Sequence, residues 1–196
     1  MNQHDKQTRL LFLDRDGIIN EDKGYVGNKS AFCFIPGIFD VVGAFVEHGF
    51  LPVVVTNQSG IGRGFYTESD FHALTHWMRE AFAEKGMPFI PVYYCPHHPT
   101  EAKPPYKKQC NCRKPSPGML LSAANDLGAD LSKSVLLGDS WRDIQAGAAA
   151  GLASQCYVSK QPQPTPALSN ASVFQADTVA QVVTLVPQII AATKTG

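Results

Sequence analysis

Apolar runs and amphipathic stretches alternate along the chain, and each predicts a different kind of element. Short apolar runs predict strands that are buried on both faces; they span residues 10–13, 51–56, 92–94, 134–137 and 155–158. Stretches with apolar positions three or four residues apart predict helices; they span residues 39–48, 67–82, 118–127, 143–150 and 176–192. We therefore expect an α/β fold, a three-layer α/β/α sandwich around a mainly parallel, Rossmann-like sheet.

The composition is typical of one soluble globular domain. The 196 residues are 44% hydrophobic and 17% charged, and no internal repeat divides them. We expect residues 1–196 to form a single domain, with a Pro-rich surface connection at 160–169, and to be a monomer. The 17 basic and 17 acidic residues give zero net charge, which argues against nucleic acid as a partner.

Targeting signals are not evident in the sequence. No stretch approaches the roughly 20 consecutive apolar residues that span a bilayer, and the polar residues 1–8 differ from a secretory signal peptide. We therefore expect a cytoplasmic protein without membrane contact, whose cysteines stay reduced.

Polar and ionisable side chains follow four of the predicted strands. Asp14, Thr56, Cys95 and Asp139 each come at or just after a strand end. Ligands of open parallel sheets bind beyond the carboxyl ends of the strands. The sequence therefore places candidate chemistry in one crevice.

Acidic residues dominate two of these strand ends. Asp14 and Asp16 are two residues apart before Gly17, and Asp139 follows a later strand. A lone pair of this kind is usually a solvated turn, but three carboxylates in one crevice suit Mg²⁺, which prefers oxygen ligands. Asp143 is at least as well explained as an acid that stabilises a helix N-terminus.

Groups that bind phosphate follow the second strand and precede a later helix. Residues 56–59 offer hydroxyl, amide and backbone N–H donors. Arg113 and Lys114 add cations that can neutralise a phosphoryl group. The glycines at 60–64 do not match a dinucleotide-binding loop, and no nucleotide-triphosphate loop occurs.

Cysteine and histidine residues cluster at the two ends of the loop 95–112. Cys95, Cys110 and Cys112, with His97 or His98, provide a four-ligand set for structural Zn²⁺. A bound metal would order this Pro- and Lys-rich loop, which has few apolar residues. Cys33 and Cys156 have apolar neighbours and are expected to be inert core residues.

The motifs together resemble the haloacid dehalogenase superfamily of phosphohydrolases. That superfamily has a strand ending in Asp-x-Asp, a strand ending in Thr or Ser, a Lys before a helix, and a strand ending in Gly-Asp. The matching segments here are residues 11–16, 53–56, 114 and 136–139. Further likeness at 14–20, 22–26, 56–64, 94–99 and 110–115 is to the heptose-bisphosphate phosphatase family, in which a zinc loop replaces a large cap domain.

The resemblance implies a phosphatase that forms an aspartyl phosphate. Asp14 would be the nucleophile and Asp16 the general acid and then base. Mg²⁺ would be held by Asp14, Asp139 and the backbone carbonyl of Asp16. Zinc ligands would be Cys95, His97, Cys110 and Cys112. Substrate contacts would come from Asp22, Lys23, Gly24, Tyr25, Thr56, Asn57, Gln58, Ser59, Arg113 and Lys114.

The expected substrate is a small sugar bisphosphate. The resemblance implies removal of the C7 phosphate of D-glycero-D-manno-heptose 1,7-bisphosphate, for lipopolysaccharide core or a related heptose pathway. Lysines 103, 107 and 108 are expected to add positive potential to the rim of the crevice.

Two features depart from the family pattern. Ile18 replaces a frequent Thr, and Ser140 stands where some members have a Lys, so that one substrate contact is missing. Two alternatives stay open, a histidinol-phosphate phosphatase and a catalytically inactive binding module with a structural zinc.

Overall fold

Six parallel strands form one twisted sheet in the order β3-β2-β1-β4-β5-β6. The structure, a computed structural model, describes residues 8–164 and 171–193. The strands are β1 (Arg9–Leu13), β2 (Phe50–Asn57), β3 (Val92–Cys95), β4 (Val135–Gly138), β5 (Ser154–Val158) and β6 (Ser172–Ala176).

Helices cover both faces of this sheet. They are α1 (Ile38–Glu47), α2 (Ser59–Arg63), α3 (Glu68–Ala83), α4 (Gly118–Leu127), α5 (Trp141–Ala150) and α6 (Val179–Ala192). Helices α1, α3 and α6 contribute to the apolar core on one face, and α4 and α5 to the core on the other. Within the described ranges, no helix is long and apolar enough to cross a membrane.

Strand β1 shows why the buried strands of this chain are uninterrupted apolar runs in the sequence. Leu11 and Leu13 belong to one core, whereas Leu10 and Phe12 belong to the other. Successive side chains of a strand point to opposite faces, so a strand between two helical layers needs apolar residues at every position. The expected single-domain α/β/α sandwich is confirmed.

The predicted α-helices and strands agree with the structure to within two residues, apart from two additional elements and the start of α6. The five-residue helix α2 and the edge strand β6 were not expected from the sequence. Helix α2 contains two glycines and is too short to show helical periodicity. Strand β6 is partly exposed and lacks a continuous apolar run, and because it includes Ala176, helix α6 begins at Val179 rather than at 176. Residues 165–169 of the expected Pro-rich connection lie outside the described residues.

The strand order puts the chemically interesting residues next to each other. Strand β1 lies between β2 and β4, and the backbone N–H of Asp14 donates to the carbonyl of Leu137 over 3.1 Å. The carboxyl ends of these three strands therefore meet at one place. The loop 96–117, which follows β3, contributes Lys114 to the same edge.

Candidate active site

A buried ammonium group joins several segments of the chain at this edge of the sheet. Lys114 Nζ lies 3.0 Å from Asp14 Oδ1 and 2.8 Å from Asp143 Oδ1, and it donates to the Val55 carbonyl over 2.7 Å. Burial alone would lower the pKa of Lys114, but the two carboxylates outweigh it and raise the pKa. The side chain is therefore charged and fixed in position.

Asn57 holds the backbone of Lys114. Its Nδ2 donates to the Lys114 carbonyl over 3.1 Å, and its Oδ1 accepts from the Lys114 N–H over 3.0 Å. Both polar atoms of the amide are thus engaged by Lys114. Although Asn57 also lines the cleft described below, this geometry makes it a positioning residue.

Three carboxylates crowd around the ammonium group. Asp14, Asp139 and Asp143 can each place an oxygen within 4.8 Å of the others. Burial raises the pKa of Asp14 to about 7, where the Lys114 charge opposes the shift and Asp143 and Asp139 add to it. Burial and the Asp143 carboxylate raise the pKa of Asp139 to about 6. Such a set needs further positive charge to stay ionised, and its oxygens fit a hard divalent cation.

Gly17 allows this crowding. Its φ is +88°, and a Cβ placed there would lie 2.0 Å from Asp139 Oδ2. The chain after Asp16 therefore turns against the Asp139 carboxylate, and a side chain at position 17 would push the two apart.

The Asp16 carboxylate points away from the other three acids. Its Oδ1 accepts from Arg15 Nη2 over 2.9 Å and from Asn20 Nδ2 over 3.0 Å, and its Oδ2 accepts from Gln58 Nε2 over 2.9 Å. The side chain is 22% exposed and lines the cleft. These hydrogen bonds therefore fix the orientation of the Asp16 carboxylate at the cleft.

Gln58 joins the end of β2 to Asp16. Besides Asp16, its Nε2 contacts Thr56 Oγ1 over 2.8 Å, and its Oε1 accepts from the Tyr66 hydroxyl. Burial raises the pKa of Tyr66 to about 12, so that this hydroxyl stays a donor. Thr56 is fully buried beneath the network, while Gln58 and Ser59 reach the cleft.

A cleft of 320 Å³ opens above Asp14 and Asp16. Of the expected substrate contacts, it is lined by Asp22, Gly24, Tyr25, Asn57, Gln58, Ser59 and Arg113. Lys23 does not line it and instead contacts Glu21 and Cys33. Cys33 is exposed, so its expected place in the core is wrong. Thr56 and Lys114 lie below its surface.

Positive charge at the cleft comes from arginines. Arg63, Arg113 and Arg142 line it, whereas none of lysines 103, 107 and 108 does. The three lysines therefore do not line the cleft, and the positive potential that we expect them to add at its rim stays a prediction. Lys103 lies beside the cleft residue Arg63, since its N–H donates to the Gly62 carbonyl over 2.8 Å.

The aromatic residue Tyr25 lines the cleft, and Phe65 packs against it from outside the lining. Tyr25 has a positive φ of 54° and its ring lies 4.4 Å from that of Phe65, centroid to centroid. Phe65 is 60% exposed. The Arg63 guanidinium lies 5.4 Å from the centre of the Tyr25 ring and pairs with Glu101.

Three thiols and one imidazole meet beside the cleft. The Sγ atoms of Cys95, Cys110 and Cys112 are 3.0–3.5 Å apart, and His97 Nδ1 lies 3.3 Å from Cys112 Sγ. Four-coordinate zinc with bonds of about 2.3 Å separates its sulfur ligands by about 3.8 Å, so a small expansion would admit the ion. His98 Nδ1 instead accepts from the backbone N–H of Glu101 over 3.1 Å, so the geometry selects His97 over His98.

Several residues of the site were not assigned to it from the sequence. Asp143 caps helix α5 as expected, since its carboxylate accepts from the Ser140 N–H over 3.0 Å, yet its other oxygen faces Lys114. Arg15, Arg63, Tyr66 and Arg142 were also not assigned to the site, although Arg15 and Arg63 lie in the segments 14–20 and 56–64 that resemble the family.

The chain is similar to several known phosphatases. A family model described as HAD-hydrolase-like matches residues 111–184. The chain is 49% identical to the D-glycero-alpha-D-manno-heptose-1,7-bisphosphate 7-phosphatase of Burkholderia mallei, over 78% of this chain and 80% of the relative. It is 48% identical to the D-glycero-beta-D-manno-heptose-1,7-bisphosphate 7-phosphatase of Vibrio cholerae, over 76% of this chain and 80% of that relative. A similar fold occurs in the crystal structure of the D,D-heptose 1,7-bisphosphate phosphatase from B. bronchiseptica, which is complexed with magnesium and phosphate. The TM-score is 0.75 at 29% identity, and the match covers 92% of this chain and 99% of that one.

Asn57→Ala tests the positioning of Lys114. Removing both hydrogen bonds to the Lys114 backbone should lower kcat at least tenfold and cost about 1–3 kcal/mol of unfolding free energy. Steady-state kinetics and urea unfolding measure the two effects. Asn125→Ala, on the exposed face of α4, is the matched control and should change neither. Wild-type kcat in Asn57→Ala would show that Lys114 needs no such support.

Proposed function

The chain belongs to the family of D-glycero-D-manno-heptose-1,7-bisphosphate 7-phosphatases among the haloacid-dehalogenase-like hydrolases, and we propose that it removes the C7 phosphate of that bisphosphate. The observation that carries this proposal is Asp14, held by Lys114 at the floor of a cleft whose rim is cationic. A phosphatase fits this family and this site, and a catalytically inactive module does not.

Asp14 is proposed as the nucleophile. Lys114 Nζ and the Arg15 backbone N–H both contact its Oδ1, at 3.0 and 2.7 Å, which fixes the carboxylate and favours attack through Oδ2. Attack forms a bond from the Asp14 oxygen to phosphorus and breaks the bond from phosphorus to the C7 oxygen. The resulting aspartyl phosphate divides one difficult hydrolysis into two steps.

Asp16 is proposed to move the protons. Protonated Asp16 gives its proton to the departing C7 oxygen, and the carboxylate then takes a proton from the water that hydrolyses the aspartyl phosphate. Arg15, Asn20 and Gln58 fix its orientation through the hydrogen bonds described above. Its partial exposure to the cleft lets it reach both the leaving oxygen and the water.

Mg²⁺ is the proposed cation of the carboxylate cluster. Asp14, Asp139 and the backbone carbonyl of Asp16 would hold it, and Asp143 would remain the partner of Lys114. When bound, Mg²⁺ neutralises charge on the phosphoryl oxygens. The oxygen donors and the raised pKa values of Asp14 and Asp139 fit this ion.

Zinc is the proposed ion of Cys95, His97, Cys110 and Cys112. Three thiolates and an imidazole form a closed set with no place for a reactive water, so its role would be structural. We further propose that the enzyme works as a monomer in the cytoplasm and that its product serves lipopolysaccharide core biosynthesis.

Asp14→Asn tests the nucleophile. An amide cannot form the acyl phosphate, so phosphate release from heptose 1,7-bisphosphate should fall to background while the fold, followed by circular dichroism, is retained. Asp40→Asn removes an equal charge from the exposed first turn of α1 and should keep full activity. More than trace turnover by pure Asp14→Asn protein would exclude Asp14 as the nucleophile.

Metal analysis tests the zinc cluster. The purified wild type should contain about one Zn²⁺ per chain, the usual occupancy of a four-ligand structural site. Cys110→Ser should lose most of it and become less active, with Mg²⁺ dependence retained. Cys33→Ser, at an exposed thiol outside the cluster, should keep its zinc. A folded, active wild type free of zinc would contradict this assignment.

Arg113→Ala tests the choice of substrate. The wild type should hydrolyse heptose 1,7-bisphosphate with higher kcat/KM than any monophosphate, including histidinol phosphate. Loss of a charge-assisted contact should cost about 1.5–3 kcal/mol on the bisphosphate and shrink this preference. Because Arg113 Nη1 also donates to the His97 carbonyl over 3.2 Å, the variant must be shown to retain zinc. A wild type that prefers histidinol phosphate would refute the heptose substrate while leaving the phosphatase intact.

A further inference from the structure

Two of the three arginines at the cleft are already engaged by the protein. Arg63 pairs with Glu101 and lies against the Tyr25 ring. Arg113 is half-buried and donates to the His97 carbonyl. These contacts fix both guanidinium groups and satisfy part of their hydrogen-bonding capacity.

Arg142 differs from both. It is exposed, lines the cleft, and makes no hydrogen bond or ion pair with another residue in the ranges 8–164 and 171–193. It is the second residue of α5, after the N-cap Ser140. The positive end of the helix dipole disfavours a cation there, so the position gives Arg142 no advantage from the helix itself.

The charge of Arg142 affects the pKa values of two neighbouring groups, Asp139 and Arg113. It opposes the upward shift in the pKa of Asp139, and with burial it lowers the pKa of Arg113. Arg142 therefore lies within electrostatic range of the carboxylate cluster and of Arg113. An anion between the two guanidinium groups would relieve their repulsion and receive charge-assisted hydrogen bonds from both.

The acidic groups of the cleft do not cancel this charge. Asp14 and Asp16 are paired with Lys114 and Arg15, and Asp22 Oδ1 accepts from the Gly24 N–H over 2.9 Å. The Ser140 hydroxyl, which caps α5, supplies no charge. A cation is therefore present at this side of the cleft although position 140 lacks the Lys of some relatives.

We propose that Arg142, together with Arg113, binds the second phosphate of the substrate and so determines the preference of this enzyme for a sugar bisphosphate over a monophosphate. This inference rests on the proposed function, because it assumes that one phosphate reacts at Asp14. The second phosphate then lies at the rim, between the free guanidinium of α5 and the guanidinium that precedes Lys114.

Arg142→Ala tests the inference with two substrates that differ in one phosphate. For heptose 1,7-bisphosphate we expect kcat/KM to fall by roughly 10- to 100-fold, mainly through KM, as loss of a charge-assisted contact predicts. For heptose 7-phosphate we expect a change of less than about twofold, since a removed contact affects only the substrate that makes it. Arg142→Lys should retain part of the preference. Lys85→Ala removes the same charge from an exposed position just after α3, outside the cleft, and should leave both kcat/KM values unchanged.

The possible results separate this inference from the function beneath it. If the wild type prefers the bisphosphate and Arg142→Ala keeps that preference, Arg142 is not the specificity residue. If Arg142→Ala lowers kcat/KM equally for both substrates, Arg142 acts through Asp139 instead, and this result also overturns the inference. If the wild type cleaves neither heptose phosphate, the proposed function itself fails.

Discussion

The site depends on the ion pairs and the hydrogen bond that the buried ammonium group of Lys114 makes. A charge without solvent requires close partners, and here two carboxylates and a backbone carbonyl provide them at 2.7–3.0 Å. Those partners come from the end of β1, from β2 and from α5. The strand order therefore has to place β1 between β2 and β4, since otherwise the charge of Lys114 would be uncompensated.

The thiol cluster and Lys114 are connected through the loop 96–117 and through Asn57. Cys95 ends β3, Cys112 is two residues before Lys114, and the backbone of Lys114 is bonded to Asn57 at the end of β2. A metal that joins Cys95 to Cys112 would fix both ends of the loop against the sheet. A structural ion would thus affect catalysis without touching substrate, because it would determine where Lys114 and Arg113 lie.

Local patterns predicted the sheet, the covering helices and the strand-end residues, because buried parallel strands and capped helices have strong sequence signatures. The thiol cluster was also predictable, although spacing left His97 and His98 equivalent until the hydrogen bond from Glu101 to His98 distinguished them. Contacts between distant segments were not predictable. The second role of Asp143 and the place of Arg142 depend on how α5 faces the loop, which no local pattern encodes.

The neutral overall composition conceals a separation of charge within the cleft. Carboxylates lie at the floor, where a cation can join them, and guanidinium groups lie at the rim. A phosphoryl group reaching the floor needs that cation, because the acids alone would repel it. An anion at the rim needs no metal, since arginine side chains already line this part of the cleft. A molecule with phosphates at two ends matches both regions at once, whereas a monophosphate uses one of them and leaves the other solvated.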